Sequence, residues 1–265
     1  MTYYSDKDFK LFKGDCLDIL KTIDTNSIDM IFADPPYNLS NDGFTCQSGK
    51  MVSVNKGKWD VSKGIENDFE FNKTWLLECQ RVLKSTGSIW VSGTYHSIYS
   101  CGFAMQLLGF HILNDIIWFK PNASPNLSGR FFTASHESII WARKDKKAKH
   151  TFNYNLMKEI NDSDDFLKNP GKQMRSVWAM TVGSKKEKLF GKHPTQKPEK
   201  LLSRIISAST NEGDLILDVF NGSGTTGIIA TKLGRKYLGI DINESFLDIT
   251  IKRYKNLKFN SNTLF

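Results

Sequence analysis

The chain has 265 residues, of which 40% are hydrophobic and 24% charged, so it can form a sizeable core and is not disordered overall. Its 36 Lys and Arg exceed its 28 Asp and Glu, and the resulting charge of +8 at pH 7 suits a polyanionic partner. The four cysteines form no C-x-x-C pair, which argues against a disulfide scaffold or a zinc ribbon. The N-terminus lacks the apolar core of a signal peptide, and no apolar run approaches the roughly 20 residues that span a bilayer. We therefore expect a cytoplasmic protein without membrane contact.

Strand-like apolar runs alternate with helical stretches along the chain, which predicts an α/β fold with helices on both faces of a mostly parallel sheet. The predicted strands are residues 28–33, 88–92, 114–119, 138–142, 215–219 and 237–241. The predicted helices are residues 71–84, 198–209 and 226–233. Gly87, Gly213 and Gly234 fall where such helices are expected to end.

Two regions interrupt this alternation. Residues 38–68 are polar and rich in Gly, Ser and Asn, so we interpret them as a long, mobile loop after the first predicted strand. Residues 144–192 carry basic runs at both ends and are interpreted as an insertion. These limits divide the chain into residues 1–143, the insertion at 144–192, and residues 193–265.

The strand at 28–33 ends in Asp34, Pro35, Pro36 and Tyr37. In open α/β sheets, ligands bind at the carboxyl ends of the strands, and the two prolines stiffen the turn there. The Asp34 carboxylate and the Pro35 carbonyl could each accept one N–H of an exocyclic amine, whose lone pair would then attack a methyl group. Tyr37 offers a ring face on which a base can stack. The alternative is an ordinary strand-ending turn, since Asp-Pro is a common turn pair.

A glycine-rich turn at residues 222–227 joins the strand at 215–219 to a helix, and Asp241 ends the next strand. Glycines allow close backbone approach to a ligand, and the acidic residue can accept both ribose hydroxyls of an adenosine-containing cofactor. The turn alone leaves the identity of that cofactor open. Because only one strand and one helix follow it, the rest of the sheet is expected to come from upstream residues. That order disfavours a dehydrogenase. It fits a methyltransferase-type sheet in which the strands follow one another along the chain from a different starting strand.

Together, these two motifs resemble those of circularly permuted, beta-type DNA adenine-N6 methyltransferases. Residues 34–37 match the target motif of that family, residues 220–226 its cofactor motif, and residues 193–198 the motif that precedes the glycine turn. The resemblance covers about residues 10–255 and implies a permuted, Rossmann-like methyltransferase fold with a mixed sheet. It also implies S-adenosylmethionine as cofactor, a target-recognition function for the insertion at 144–192, and a strand at residues 9–14 beside the one that ends at Asp241.

The resemblance implies site residues as well. Those implied for the reaction are Asp34, Pro35, Pro36 and Tyr37. Those implied for the cofactor are Asp15, Cys16, Asp34, Thr195, Gln196, Lys197, Asp218, Phe220, Asn221, Gly222, Ser223, Gly224, Thr225, Thr226 and Asp241. Candidates for DNA contacts are Ser40, Asn41, Lys50, Arg130, Arg175, Lys185 and Lys186. No metal is expected, because the histidines show no ligand spacing and the transfer needs none.

Residues 39–41, 52–54, 126–128 and 171–174 are similar to the second methyltransferase of GATC-specific restriction–modification systems. That subfamily is known for accepting single-stranded as well as duplex DNA. The resemblance thus implies both forms of DNA as substrates, a homodimer, and a companion restriction endonuclease. Val219 departs from the family, which commonly has Pro there, and this puts the stiffness of the cofactor turn in question.

Several alternatives remain open. Cytosine-N4 methylation uses the same geometry, although such enzymes usually carry Ser where Asp34 stands. The other two alternatives are an RNA base methyltransferase and a catalytically silent DNA-binding subunit with the same fold.

The remaining notable side chains are interpreted more simply. His136 and Glu137, at the start of a strand, are expected to order a turn. Trp90, Trp118 and Trp141 are expected in the core, whereas Trp59 and Trp178 are candidates for stacking on bases or on a partner subunit.

Overall fold

The computed structural model describes residues 1–37, 44–47, 50–53, 60–160, 169, 171–191 and 193–262. The strands there are β1 (Thr2–Asp6), β2 (Phe9–Lys13), β3 (Ile28–Ala33), β4 (Phe44–Gln47), β5 (Lys50–Ser53), β6 (Leu83–Gly93), β7 (His111–Phe119), β8 (His136–Arg143), β9 (Val177–Ala179), β10 (Leu215–Asp218) and β11 (Lys236–Asp241). The helices are α1 (Cys16–Leu20), α2 (Ile65–Val82), α3 (Ile98–Leu107), α4 (Tyr154–Glu159), α5 (Glu199–Ser209), α6 (Thr225–Lys232) and α7 (Glu244–Asn262), with a 3₁₀ turn at Lys185–Lys188.

Nine of these strands form one mixed sheet in the order β1-β2-β11-β10-β3-β6-β8-β7-β9. The five strands β2, β11, β10, β3 and β6 run parallel to one another. β8 is antiparallel to both β6 and β7, and β1 is antiparallel to β2. β4 and β5 form a separate antiparallel pair. The predicted mixed α/β sheet is confirmed.

The strand expected at residues 9–14 is also confirmed, as β2. It pairs in parallel with β11, in a register that sets Phe9 against Tyr237 and Lys13 against Asp241. Residues near the N-terminus therefore complete the half of the sheet that carries the glycine turn, as a circular permutation requires.

Helices cover both faces of the sheet because its central strands are apolar on both sides. In β3, Met30 packs with the core under α4 to α7, whereas Ile31 packs with the core under α1 to α3. Trp90, Trp118 and Trp141 are buried, as predicted. Among the described residues, no helix is long and apolar enough to cross a membrane.

One glycine predicted to end a helix has a different role. The helix expected at 71–84 begins earlier, at Ile65, and passes directly into β6 after Val82, so Gly87 lies within a strand. A Cβ at Gly87 would approach the Asp29 carbonyl oxygen to 2.7 Å, so the glycine permits close packing of β6 on β3. Gly234, by contrast, follows α6 with a left-handed φ of +73°, as expected for a helix end.

The two regions that interrupt the alternation contain more structure than the sequence predicted. Within residues 38–68, β4 and β5 pair with each other and residues 65–68 form the first turn of α2, so the loop prediction is wrong there. Within residues 144–192, β9 extends the main sheet beside β7. Trp178 of β9 is buried against Trp90 and beneath the Arg204 guanidinium, which corrects its interpretation as a base-stacking residue. A three-residue strand is too short to be recognised from its pattern.

Candidate active site

A cavity of about 320 Å³ opens at the carboxyl ends of four adjacent parallel strands, β2, β11, β10 and β3. Its volume lies within the range of small-molecule sites. All four residues predicted for the reaction line it, and so does every residue predicted for the cofactor except Gly224. The sheet topology brings most of these residues together, because they lie at or after strands that end at the same edge, whereas Thr195, Gln196 and Lys197 come from the segment before α5.

The glycine turn forms one wall of the cavity. Gly222 and Gly224 have left-handed φ values of +50° and +73°, and a Cβ on Gly224 would lie 2.3 Å from the Thr250 side chain. Gly224 therefore shapes the turn from behind rather than lining the cavity. The Gly222 N–H donates to the Asp241 carboxylate at 2.7 Å, which ties the turn to the end of β11.

Val219, which replaces the proline common in the resembling family, extends the pairing of β10 with β3. Its N–H donates to the carbonyl oxygen of Phe32 at 3.3 Å, a bond that proline cannot make. The side chain is buried beside the cavity. The substitution thus adds a backbone hydrogen bond where the family has a rigid ring.

The buried Asp218 and the half-buried Asp241, both on this wall, have raised pKa values. Burial raises the pKa of Asp218 to about 7, although hydrogen bonds from Thr226 Oγ1 at 2.6 Å and from the Phe220 N–H at 3.0 Å oppose the rise. Burial likewise raises the pKa of Asp241 to about 6. Both groups therefore titrate near neutral pH, and a cation bound in the cavity would favour their charged forms.

This wall fits an adenosine-containing cationic cofactor such as S-adenosylmethionine. Asp241, at the end of β11, keeps lone pairs that can accept ribose hydroxyls. At the end of β2, Asp15 caps α1 by accepting the Leu17 N–H at 2.8 Å. Cys16 beside it is buried with a pKa raised to about 12, so its thiol stays neutral. The Phe220 ring, held edge-on by Trp75 at 5.5 Å, adds an apolar surface.

The opposite wall is the turn after β3. The Tyr37 hydroxyl donates to Asp34 Oδ1 at 2.6 Å, and Lys197 Nζ donates to Asp34 Oδ2 at 2.5 Å. Burial raises the pKa of Asp34, and the positive charge of Lys197 opposes that rise. The Tyr37 N–H donates to the buried Asp60 carboxylate at 2.9 Å, which fixes the backbone of the turn.

Glu137 lies behind this wall, in contact with Tyr37 and Lys197, which corrects the interpretation that it orders a turn. Its Oε2 lies 3.0 Å from the Tyr37 hydroxyl and 3.5 Å from Lys197 Nζ, and its Oε1 accepts a hydrogen bond from Lys120. Burial alone would raise the pKa of Glu137, but Lys197 and Lys120 lower it to about 2. The Glu137 carboxylate therefore stays charged.

Lys197 lies between the carboxylates of Asp34 and Glu137. Burial would lower its pKa, yet Asp34 and Glu137 together raise it, so the ammonium stays charged too. The side chain also lies over the Tyr37 ring, with Nζ 5.2 Å from the ring centroid. We call Asp34, Tyr37, Glu137, Lys197 and Lys120 the charged network.

Sequence reasoning missed Glu137, Lys120 and Asp60. For Glu137 a weak signal existed, because it directly precedes an apolar strand, and an acid that is buried there needs a partner. That partner, Lys197, lies 60 residues further along the chain, so the pairing becomes visible only in the fold. Nothing in the sequence around Asp60 marks it.

The structure gives a partial view of the residues predicted to contact DNA. Three candidates lie outside the described residues: Ser40, Asn41 and the stacking candidate Trp59. For three others the structure describes the backbone but not the side chain: Lys50, Lys185 and Lys186. Arg130 and Arg175 are exposed and do not line the cavity. The two residues after Arg130 are Phe131 and Phe132, which are 68% and 98% exposed.

Residues 28–252 match the model of a family described as DNA methylase (N6_N4_Mtase). The chain is 52% identical over 252 residues to the type II methyltransferase M2.DpnII of Streptococcus pneumoniae, with 95% of this chain and 91% of that protein covered. It is 48% identical over 252 residues to the type II methyltransferase M2.MboI of Moraxella bovis, covering 95% and 89%. Among solved structures, the M1.HpyAVI–SAM complex is 25% identical and superposes with a TM-score of 0.66, covering 93% of this chain and 98% of that one.

Proposed function

The chain belongs to this family of DNA methylases, and we propose that it methylates the N6 atom of adenine, at GATC sites. It is an S-adenosylmethionine-dependent DNA methyltransferase. The observation that carries the choice of adenine is the Asp34 carboxylate, held at the cavity wall by Tyr37 and Lys197.

The target amine is a weak nucleophile, because its lone pair is delocalised into the ring. A carboxylate has about four lone-pair sites, and Tyr37 and Lys197 take one on each Asp34 oxygen. Asp34 therefore retains capacity to accept an N–H of the amine, and the Pro35 carbonyl can take the other. Two such acceptors favour a tetrahedral nitrogen whose lone pair points away from the base.

S-adenosylmethionine, when bound, supplies the methyl group. As the nitrogen gains that methyl group it loses one proton, which the Asp34 carboxylate is placed to accept. The raised pKa of Asp34 suits this step, since a carboxylate with a raised pKa is a better base than one with an ordinary pKa. Tyr37 stacks on the base that has been flipped out of the DNA.

Glu137 and Lys120 are positioning residues in this proposal. Glu137 pairs with Lys197, and its Oε2 lies 3.0 Å from the Tyr37 hydroxyl, whose proton is donated to Asp34, so Glu137 contacts both side chains that orient the Asp34 carboxylate. Lys120 neutralises the second oxygen of Glu137.

The finer assignments follow the same subfamily resemblance, supported by 52% identity to M2.DpnII. They are duplex and single-stranded GATC substrates, a homodimer, a companion restriction endonuclease, and a cytoplasmic location. Residues 1–143 would hold the target base, residues 144–192 would read the site, and residues 193–265 would bind the cofactor. The exposed Arg130 and Arg175, with Lys50, Lys185, Lys186, Ser40 and Asn41, are the proposed DNA contacts.

The test uses methyl-labelled S-adenosylmethionine and oligonucleotides with GATC or a scrambled site, each single- and double-stranded. The DNA is digested to nucleosides and separated. We expect label in N6-methyladenine from the GATC strands alone. Label in adenine from both sequences would remove the GATC assignment and keep the chemistry.

Two other outcomes would favour the rival functions. Label in N4-methylcytosine would contradict the role given to Asp34. No label on DNA, with the cofactor bound in calorimetry, would favour an RNA substrate, which a matched RNA oligonucleotide tests directly. A subunit that neither binds the cofactor nor transfers label would be catalytically silent.

A further inference from the structure

A second pocket, of about 380 Å³, lies at the same edge of the sheet as the cofactor cavity. It is formed by the turn after β6, the first turn of α3 and the segment that leads into β8. Its aromatic side chains are Tyr95, Tyr99, Phe131, Phe132 and His136. The reaction proposed above uses none of these side chains.

The rings of this pocket are exposed to an unusual degree. Tyr95 is 56% exposed, Phe131 68% and Phe132 98%. The described residues that line the pocket include no Asp, Glu, Lys or Arg, and hydroxyl groups and His136 supply its polar atoms. Exposed apolar surface of this kind marks a binding site. Flat rings in an uncharged pocket suit another flat ring, and nucleic-acid bases stack on aromatic side chains in this way.

Hydrogen bonds hold the two phenylalanines of the pocket in place. The Asn126 side-chain amide donates to the carbonyl oxygen of Phe131 at 2.7 Å, and the Asn126 N–H donates to Thr133 Oγ1 at 3.2 Å. The Ser128 hydroxyl donates to Asn126 Oδ1 at 2.8 Å. The segment therefore needs no ligand to order it, which lowers the entropic cost of binding one.

The pocket adjoins the wall that would hold the target base. Ser92, at the end of β6, has its Oγ 3.2 Å from the Tyr37 hydroxyl, and the next turn of the chain lines the pocket. Glu137, whose Oε2 lies 3.0 Å from the same hydroxyl, stands in β8 between the pocket residues His136 and Ser138. β6 and β8 are paired strands, which lie roughly 4.8 Å apart. A nucleotide next to one bound over Tyr37 can therefore reach the pocket.

We propose that this pocket holds a second base of the substrate DNA, the neighbour of the target adenine on the same strand. When the adenine is flipped out, its neighbour loses a stacking partner, and the rings of Tyr95, Phe131 and Phe132 replace that partner. Arg130, exposed beside the phenylalanines, can bind a phosphate of the same strand. The assignment depends on the adenine methylation proposed above and adds a second contact to it.

A protein partner is the other candidate occupant, because interfaces between proteins are also rich in aromatic residues. DNA is favoured for two reasons. The pocket shares β6 and β8 with the wall that would hold the target base, and the charge of +8 on the chain favours a polyanion.

The test is a double-mutant cycle between the protein and the DNA. Fluorescence polarisation measures binding with S-adenosylhomocysteine present, so that no methyl transfer occurs. One duplex carries an intact GATC site, and three others lack a single base of the target strand: the base on either side of the target adenine, or one well outside the site. Phe132→Ala should weaken binding to the intact duplex roughly 10-fold or more.

The cycle should identify one of the two neighbouring bases. On the duplex that lacks the base held in the pocket, Phe132→Ala should bind as tightly as the wild type. On the duplex with the remote gap, the variant should show its full defect. Phe132→Tyr keeps a ring and should restore binding. Because Phe132 is 98% exposed, its loss should leave the thermal unfolding midpoint unchanged.

Phe259→Ala is the matched control, since Phe259 is 68% exposed, as Phe131 is, but lies near the end of α7 and does not line the pocket. It should bind all four duplexes as the wild type does. A Phe132→Ala defect of equal size on every duplex would show a contact that holds no base. Unchanged binding of the intact duplex would favour a protein partner. Either result would overturn the proposal, whereas labelled methyl transfer by the wild type reports separately on adenine methylation.

Discussion

The two walls of the cavity hold their carboxyl groups in opposite ways. On the wall of the glycine turn, Asp218 and Asp241 are bound by backbone N–H groups and a threonine hydroxyl, and burial raises their pKa values to about 7 and about 6. On the wall of the charged network, two lysines surround Glu137 and lower its pKa to about 2.

The difference indicates where the positive charges that balance the carboxylates of each wall come from. The charged network contains its own cations, so it is assembled before any ligand arrives. The glycine-turn wall has acids with raised pKa values, and its counter-charge is expected to come with the cationic cofactor. We therefore expect substitutions in the network to change turnover, and pH to act mainly on cofactor binding.

The largest expected effect comes from Asp34→Asn. The amide keeps the shape of the side chain but cannot take up a proton, so turnover should fall by at least about 1000-fold. The cofactor dissociation constant should change little, since the glycine-turn wall is intact. Methyl transfer to DNA and calorimetry measure the two quantities. Asp115→Asn, an exposed change on β7, serves as the control. Loss of cofactor binding with retained transfer would reverse the two roles.

Glu137→Gln should act on the same wall less severely. Loosening Tyr37 and Lys197 by a fraction of an ångström should lower kcat roughly 10- to 100-fold without changing cofactor affinity. Glu78→Gln removes an ion pair with Arg81 on α2, away from the cavity, and is the matched control. A Glu137→Gln variant with unchanged kcat, or with weakened cofactor binding alone, would contradict a positioning role.

The same substitution should change stability at acid pH. Because the pKa of Glu137 is lowered in the folded state, its carboxylate stabilises the fold above about pH 4.5, and this contribution of about 3 kcal/mol is lost as pH falls towards 2. Denaturant unfolding from pH 5 to pH 2 should show a shallower loss of stability in Glu137→Gln than in the wild type. Parallel curves would mean that Glu137 keeps its ordinary acidity.

Cofactor affinity should depend on pH through the other wall. Since binding favours the charged forms of Asp241 and Asp218, it should release protons, and affinity should rise as pH increases through about 6 to 7. Below pH 6 the fall should approach tenfold per pH unit for each carboxylate that must ionise. Titration calorimetry in buffers of different ionisation enthalpy counts the protons, and Asp241→Asn should flatten the profile. Proton uptake on binding would contradict the assignment.

The smallest effect is expected at Val219. Val219→Pro removes the N–H bonded to Phe32 at 3.3 Å, which should cost about 1 kcal/mol of stability. Cofactor affinity should change by less than about threefold, since the N–H points at β3 rather than into the cavity. Val219→Ala keeps the N–H and separates the hydrogen bond from side-chain packing. A large change in affinity for the proline variant alone would show that the stiffness of the turn controls the cofactor.

Sequence analysis predicted correctly those parts of the molecule in which a recognisable strand pattern directly precedes the functional residues in the chain. The run at residues 28–33 is apolar except for Asp29 and directly precedes residues 34–37, so both the buried strand and the turn at its end were predictable. The glycine turn and Asp241 were recognisable for the same reason. The permuted strand β2 needed the family resemblance, because five residues of alternating Phe, Lys and Leu give no hint of their distant partner.

The parts that were missed depend on contacts between distant segments. Helix α3 shows no periodicity because it is apolar on both faces, so it was not predicted. Glu137 directly precedes the strand predicted at 138–142 and lies in β8, but its partners Tyr37, Lys120 and Lys197 come from three other places in the chain. A charge network of this kind is specified by the fold and not by a local motif.

The pairing of β2 with β11 has a consequence for how the protein is made. As the chain leaves the ribosome, the β1–β2 hairpin emerges early, and one edge of β2 must stay unpaired until residues 236–241 have followed. Contacts between such distant segments close slowly, and an open strand edge is a template for aggregation. A nascent chain that stops before β11 would therefore lack the wall that binds the methyl donor and would depend on chaperones to stay in solution. Methylating activity would therefore appear only after β11 has been synthesised and has paired with β2.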